Sequence, residues 1–176
     1  MSTPRSAGAL TITVLSVLAL AAAWWPNSSS ESVRTAALHG GVYAISRPSE
    51  QLLTLQRTES AAPIVVLPPT GEPGTQEWEV RRFDNGNITI RNLASQTYLG
   101  YDAGPQRIDH LPEPKEWSLI PAADPFTYYI VVPNGPIDGT ELALDLSMLR
   151  IFPPTVALQP LETSSQDQAW KFEFHE

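Results

Sequence analysis

The sequence predicts an all-β fold, on two kinds of evidence. Apolar and polar residues alternate in many short segments, such as 42–45, 78–83 and 142–146, and a period of two is that of a half-buried strand. Turn residues separate these segments, for example Asp84-Asn85-Gly86 and Asp138-Gly139. No segment from residue 38 onward has the period of a helix.

A repeated tryptophan narrows the fold class. A Trp with an apolar residue two positions later closes three successive rounds, at Trp78, Trp117 and Trp170. Each round opens on an alternating strand, and its second strand is aligned on Leu53/Leu55, Tyr98/Tyr101 and Leu142/Leu144. Because one such unit cannot bury its own apolar face, three must meet around an axis. Residues 38–176 are therefore predicted to form a β-trefoil of three four-stranded repeats with pseudo-threefold symmetry.

The repeated residues are predicted to be structural. Each indole supplies a large apolar body to the shared core, and its N–H needs an acceptor, which we expect to be a nearby turn carbonyl. Gln76 and Gln168 stand two positions before Trp78 and Trp170. We expect their amides to hold the backbone of the turn that leads into the last strand.

The N-terminus predicts a hydrophobic leader helix. Residues 7–25 carry no charge, and an apolar run of this length is about enough to cross a bilayer. Within it, Ala21-Ala22-Ala23 resembles a cleavage site. Residues 1–25 are thus interpreted as a cleaved signal peptide or an uncleaved anchor, and the polar segment 26–37 as a flexible linker.

Arg5, ahead of the apolar run, orients the N-terminus towards the cytoplasm. The domain is then expected outside the cytoplasm, secreted or membrane-anchored. In that location Asn27 and Asn87, each in an N-x-Ser/Thr triplet, are possible glycosylation sites.

Composition excludes several functions. The net charge is −8, with no basic cluster, which argues against nucleic acid, and membrane contact is expected only through an uncleaved leader. There is no cysteine, and His39, His110 and His175 have no partner at ligand spacing, so we expect neither a metal nor another cofactor. No catalytic constellation is recognisable. The sequence therefore predicts a binding protein and not an enzyme, and we expect a monomer.

The Gln-x-Trp repeat resembles the ricin-B-type lectins. That resemblance implies shallow sugar pockets, each with an aspartate and a stacking aromatic residue near the start of its repeat. Here Asp84 and Asp102 fall at different phases, and the first repeat offers only Glu50 or Glu59. Carbohydrate binding is therefore the alternative function.

Longer phrases carry a second resemblance. "GGVYAISRPSEQLLTLQ", "NITIRNLASQTYLGY", "PEPKEW" and "LRIFPPTVALQPL" resemble mushroom serine-protease inhibitors of the cospin type, and the likeness extends over residues 40–174. It implies a β-trefoil that inhibits trypsin-like serine endopeptidases through an exposed loop of the first repeat. The matching residues are Gln56, Arg57, Thr58, Glu59 and Ser60.

Arg57 is the side chain expected to enter a specificity pocket with a carboxylate at its base. Glu59 would suit a protease that prefers acidic residues. Members of this family are generally intracellular, so the leader of this chain points to extracellular or vacuolar targets instead.

Other exposed turns are alternative contact sites, because trefoils use different loops for different partners. They are Ala94–Thr97, Asp102–Arg107 and Asn134–Thr140. A third interpretation is an anchored trefoil with a structural or protein-interaction role.

Overall fold

Twelve strands run through the part of the chain that the computed structural model describes, residues 38–49, 51–56, 62–101, 107–135 and 139–175. The predicted leader and linker lie outside these ranges, as do Asn27 and the four residues Arg57, Thr58, Glu59 and Ser60. Within the described ranges, no helix is long and apolar enough to cross a lipid bilayer.

The strands fall into three sets of four. The first repeat contains β1 (Gly41–Ser46), β2 (Leu52–Thr54), β3 (Val65–Leu67) and β4 (Glu77–Arg82). The second contains β5 (Ile88–Asn92), β6 (Tyr98–Tyr101), β7 (Ile108–Leu111) and β8 (Ser118–Pro121). The third contains β9 (Thr127–Val131), β10 (Leu142–Leu146), β11 (Val156–Pro160), a 3-10 helix (Gln166–Gln168) and β12 (Trp170–Phe174).

The first and last strands of each repeat close into an antiparallel barrel. Ladders join β1 to β4, β4 to β5, β8 to β9, β9 to β12 and β12 to β1. Ile88 and Trp117 complete the ring between β5 and β8, since the amide N–H of each donates to the carbonyl of the other at 2.8 Å. A closed barrel leaves no exposed strand edge.

The remaining strands form three hairpins, β2–β3, β6–β7 and β10–β11, one from each repeat. The third hairpin contacts the other two, because Val65 bridges to Thr155 and Arg107 bridges to Ala157. A six-stranded barrel with three clustered hairpins is a β-trefoil, and the predicted fold class is confirmed.

All three repeat tryptophans are fully buried in the core. Their indole N–H groups donate to the carbonyl oxygens of Leu53, Leu99 and Leu144, at 2.9, 3.0 and 2.9 Å. These acceptors lie in β2, β6 and β10 and not in turns, because each indole meets the second strand of its own repeat. Leu99, and not Tyr98, is therefore the counterpart of Leu53, so the predicted alignment of the second strands was wrong in the second and third repeats.

The two glutamines hold the chain in the same way. Gln76 Oε1 accepts from the Thr70 N–H at 2.9 Å, and its Nε2 donates to the Pro68 carbonyl at 3.0 Å. Gln168 makes the same pair of bonds with the Glu162 N–H (2.8 Å) and the Pro160 carbonyl (2.9 Å). Each glutamine thus ties down the segment that follows the third strand of its repeat.

Candidate binding surfaces

The predicted reactive loop is described only at its ends. Gln56 is exposed just after β2, and Ala62 is buried at the other end, while Arg57–Ser60 lie outside the described residues. The Leu55 N–H donates to the Thr75 carbonyl at 2.9 Å, and β2 pairs with β3 from Leu52–Leu67 to Thr54–Val65. Both ends of this loop are therefore anchored in the hairpin.

Of the other predicted turns, Ala94–Thr97 uses its polar groups internally. The Ser95 N–H donates to Asn92 Oδ1 at 3.1 Å, and the Asn92 N–H donates to the Thr97 carbonyl at 2.8 Å. Of the segment 102–107 only Arg107 is described, and its guanidinium pairs with Asp109 at 2.6 Å. The segment 134–140 is described at 134–135 and 139–140.

Asn87 is the one of the two predicted glycosylation sites that the structure describes, and its side chain is hydrogen-bonded to a glutamate. Its Nδ2 donates to Glu116 Oε2 at 2.8 Å, and Asn85 Nδ2 donates to the same oxygen at 3.0 Å. These two hydrogen bonds, from Asn87 first and Asn85 second, hold the pKa of the Glu116 carboxyl below its ordinary value. Among all the residues that the structure describes, no three His, Asp or Glu side chains are grouped so as to hold a metal ion.

A cleft of about 840 Å³ lies between the first and third repeats, and we call it the Phe126 cleft. Its floor comes from outward-facing residues of β1 and β12, whose neighbours Ile45 and Phe172 face the core. Because Ala44, Ser46 and Ala169 have small side chains, the surface is hollow here. The residues that supply chemistry to the cleft are Arg47, Asp124, Phe126, Gln166, Lys171 and Glu173.

Phe126 has an unusual backbone. Its φ is 56°, in the left-handed region that bulky residues rarely adopt, and its side chain is 48% exposed. The conformation is held because the Phe172 N–H donates to the Phe126 carbonyl at 2.9 Å. Such backbone strain costs on the order of 1–3 kcal/mol and concentrates at functional sites.

The same ring borders a second hollow, of about 380 Å³, whose other wall includes Phe174. Phe174 is 63% exposed and lies edge-on to Tyr43, with the ring centroids 5.5 Å apart. Burial raises the pKa of Tyr43, whose hydroxyl donates to the His39 carbonyl at 3.0 Å, so the phenol stays protonated. Two exposed aromatic rings thus flank one apolar hollow.

Some polar side chains of the Phe126 cleft form ion pairs within the part of the protein that the structure describes, and others do not. Arg47 is only 10% exposed; its Nη1 lies 2.6 Å from Asp145 Oδ1, and its guanidinium lies 5.6 Å from the Trp170 ring centroid. Lys171 pairs with Glu173 on β12. Arg47 therefore supports the wall, whereas Asp124 and Gln166 line the cleft as exposed polar side chains.

A second surface was missed by the sequence analysis. The loop between β10 and β11 exposes Met148, Leu149, Ile151 and Phe152, with 84% and 87% of Met148 and Phe152 accessible. We call it the Met148–Phe152 loop. The signal in the sequence was an apolar run without alternation, followed by two prolines, but such a run is equally typical of a buried strand.

Comparison with solved structures places this chain among β-trefoil proteins. Part of a mosquitocidal holotoxin is similar to it (TM-score 0.66, 16% identity, 79% of this chain and 18% of the toxin chain). So is the Rhizoctonia solani agglutinin (TM-score 0.65, 20% identity, 78% of this chain and 97% of the agglutinin). A third is the Polyporus squamosus lectin bound to the epitope Neu5Acα2-6Galβ1-4GlcNAc (TM-score 0.57, 19% identity, 77% of this chain and 49% of the lectin).

This chain therefore spans less than two thirds of the holotoxin and of the lectin, and nearly all of the agglutinin. At these identities the likeness establishes a common fold. No protein-family model matches the sequence, and no curated protein matches it. The resemblance to cospin-type inhibitors stays a prediction.

Proposed function

We propose that the protein is a carbohydrate-binding β-trefoil whose sugar site is the Phe126 cleft. The observation that supports this most strongly is Phe126 itself, a half-exposed aromatic ring held at a φ of 56° above a hollow. A sugar presents an apolar C–H face that packs on such a ring, and hydroxyl groups that need hydrogen-bonding partners. Small-molecule sites combine these features, since they are concave and mostly apolar with a few placed polar groups.

The polar groups near Phe126 suit sugar hydroxyls. A carboxylate accepts hydrogen bonds, and an amide both accepts and donates them. Asp124 and Gln166 supply one of each to the lining of the same cleft. Two proteins of the same fold, an agglutinin and a lectin bound to a sialylated trisaccharide, make carbohydrate the first ligand class to test.

The test is a glycan array probed with the full-length chain, followed by titration of the best glycan. We expect Phe126→Ala to weaken binding at least about tenfold, which corresponds to a loss of about 1.4 kcal/mol. Phe83→Ala is the matched control, because Phe83 is also exposed and lies in the corresponding turn between β4 and β5. The proposal fails if no glycan binds, or if Phe83→Ala weakens binding as much as Phe126→Ala does.

A second function, inhibition of a serine protease through Gln56–Ser60, is favoured by the anchored ends of that loop. A loop whose ends are fixed by strand pairing loses less conformational entropy when it enters an active site. We expect the full-length chain to inhibit trypsin and Arg57→Glu to abolish the inhibition without lowering thermal stability. Unchanged inhibition by Arg57→Glu would show that this loop is not the contact.

A further inference from the structure

We propose that the Met148–Phe152 loop is a protease-binding loop that presents Arg150 to a serine protease that cleaves after arginine. The inference rests on protease inhibition, the second function above, but assigns the primary contact to the third repeat. No covalent step is involved, since binding is reversible occupation of the active-site cleft.

The base of the loop is fixed by backbone hydrogen bonds. The Ser147 N–H donates to the Thr155 carbonyl at 2.8 Å, which closes the loop at its base. The first-repeat hairpin holds the same base, because the Val66 N–H donates to the Pro154 carbonyl at 2.9 Å and the Val156 N–H donates to the Ile64 carbonyl at 3.1 Å. The base therefore cannot shift without breaking contacts between two repeats.

The loop also has few conformations open to it. Pro153 and Pro154 follow Phe152 and restrict φ on the C-terminal side. On the N-terminal side the Leu149 N–H donates to Ser147 Oγ at 3.2 Å. Such pre-organisation reduces the entropy lost on binding, which is a general source of affinity.

The apolar side chains of the loop contribute little to the fold. Met148, Leu149, Ile151 and Phe152 are all exposed, with Phe152 at 87%. Exposed apolar groups that are contiguous mark interaction sites on soluble proteins. The net charge of −8 disfavours an anionic lipid surface as the partner.

Arg150 determines the kind of protein partner. It is exposed at the centre of the apolar run, and no acidic side chain in the described ranges forms an ion pair with it. A partner that covers this loop and buries the guanidinium therefore needs an apolar cleft that contains a carboxylate. The specificity pocket of trypsin-like proteases has this chemistry.

The geometry also relates the two candidate loops. A hollow of about 330 Å³ is lined on one side by Gln56, Ala62 and Pro63 and on the other by Ile151 and Phe152. The Met148–Phe152 loop thus lies beside both ends of the first-repeat loop. A protease seated on Arg150 would also contact these ends, so arginine variants are needed to tell the two loops apart.

The experiment is a titration of trypsin with the full-length chain and with Arg150→Ala, Arg57→Ala and Arg81→Ala. Arg81 is the matched control, because it is an exposed arginine on β4 that pairs with Glu79 and lines neither hollow beside the loop. We expect Arg150→Ala to raise the inhibition constant at least about 30-fold, as for an interface hot spot, and Arg81→Ala to leave it unchanged. Arg150→Lys should retain most of the inhibition, and thermal unfolding should be the same for all variants.

Three outcomes overturn the inference and are distinguishable. If Arg57→Ala abolishes inhibition and Arg150→Ala does not, the first-repeat loop is the contact and protease inhibition stands. If the unaltered chain inhibits neither trypsin nor other arginine-specific serine proteases, both the inference and protease inhibition fail. A dimer in sedimentation that becomes a monomer in Phe152→Ser would also overturn the inference, since a second copy would then cover the loop.

Discussion

The second and third repeats put equivalent residues into the barrel and different residues on its surface. Trp117 and Trp170 are both fully buried, and each donates its indole N–H to a leucine carbonyl of its own repeat. Of the seven large apolar side chains exposed in the described ranges, however, six belong to the third repeat or to the turn that enters it; they are Phe126, Met148, Leu149, Ile151, Phe152 and Phe174, the seventh being Phe83. The core reflects what three units need to close a barrel, whereas the exposed apolar side chains are concentrated in one repeat.

The same contrast holds for the turns that enter the two repeats. Gly86 immediately precedes Asn87 at the start of the second repeat, and Phe126 precedes Thr127 at the start of the third. Both have a positive φ, 87° and 56°. Glycine adopts this conformation at no steric cost, whereas phenylalanine is strained in it. The second repeat solves the turn with the favoured residue, and the third retains a strained one at the rim of a cleft.

Polar support of the tryptophan differs too. In the third repeat, Asp145 binds the Arg47 guanidinium and accepts from Gln168 Nε2 at 3.2 Å. In the second repeat the counterpart of Asp145 is Gly100, one position after the leucine that accepts the indole N–H. Lys115 replaces the glutamine, and its Nζ lies 5.5 Å from the Tyr101 ring centroid. The Tyr101 ring lies edge-on to Trp117, with the ring centroids 4.9 Å apart, so the second repeat covers its tryptophan by aromatic packing. In the third repeat the ion-paired Arg47 guanidinium covers Trp170 instead.

The largest expected effect is the same in both repeats. Trp117→Ala and Trp170→Ala should each lower the free energy of unfolding by about 3–5 kcal/mol, because each leaves a cavity and an unpaired leucine carbonyl in the core. Urea unfolding of the two variants measures this. A loss under about 1 kcal/mol in one of them would mean that the two repeats do not share the core equally.

A difference between the repeats is expected at the position after the accepting leucine. Asp145→Ala should cost about 3 kcal/mol, because it leaves the nearly buried Arg47 without a counter-charge. Gly100→Ala should cost less, about 1–2 kcal/mol. The new Cβ would lie 2.4 Å from Leu111 Cδ1, and the Leu111 side chain can only partly move away from it.

The control for the ion pair is a double-mutant cycle. Arg47→Ala with Asp145→Ala should lose less stability than the two single losses added together, because the second change removes the uncompensated charge. Strict additivity would show that the pair is not coupled.

The turns predict opposite signs for two matched substitutions. Phe126→Gly should raise the free energy of unfolding by up to about 1 kcal/mol, because it relieves the left-handed strain. Gly86→Ala should lower it by about 1 kcal/mol through strain alone, since its Cβ would meet no atom within 4 Å. Thermal unfolding of both variants tests this. A clear loss of stability in Phe126→Gly would mean that the ring supports the fold.

The smallest effect concerns pH and belongs to the second repeat. Because hydrogen bonds from Asn87 and Asn85 lower the pKa of Glu116 in the folded chain, they contribute stability above the unfolded-state pKa. That contribution is lost as the pH falls through the lower, folded pKa. In the third repeat, Ala169 occupies the position that Glu116 has in the second, directly before the tryptophan. Alanine has no titratable side chain and makes no pH-dependent contribution to stability. An NMR titration of Glu116 should show its pKa rising in Asn87→Ala, and an unaltered titration would refute the assignment.

The sequence predicted those parts of the molecule whose residues do the same task in every repeat. The period of two, the tryptophans and Gln76 with Gln168 sufficed because burial and turn support require these residue types at fixed spacing. Leu99 was misaligned because it lies between Tyr98 and Tyr101 in the second strand of its repeat, and each tyrosine ring is itself largely apolar.

The binding surfaces were beyond such inference. A glycine in a turn indicates a positive φ, whereas a phenylalanine does not. The strain and the exposure of Phe126 are therefore visible only in the structure. The apolar run from Met148 to Phe152 reads as a buried strand until the pairing of β10 with β11 is seen to stop at Leu146 and Val156. Apolar composition signals burial, and only the strand register shows that this run is excluded from the core.

We infer that the exposed apolar residues of the third repeat serve a partner and not the folding of the chain. This inference is tested by urea unfolding of the full-length double variant Met148→Ser/Phe152→Ser. We expect a free energy of unfolding within about 0.5 kcal/mol of that of the unaltered chain, as for surface positions in general. A loss of about 2 kcal/mol or more would contradict it, because the loop would then be part of the core.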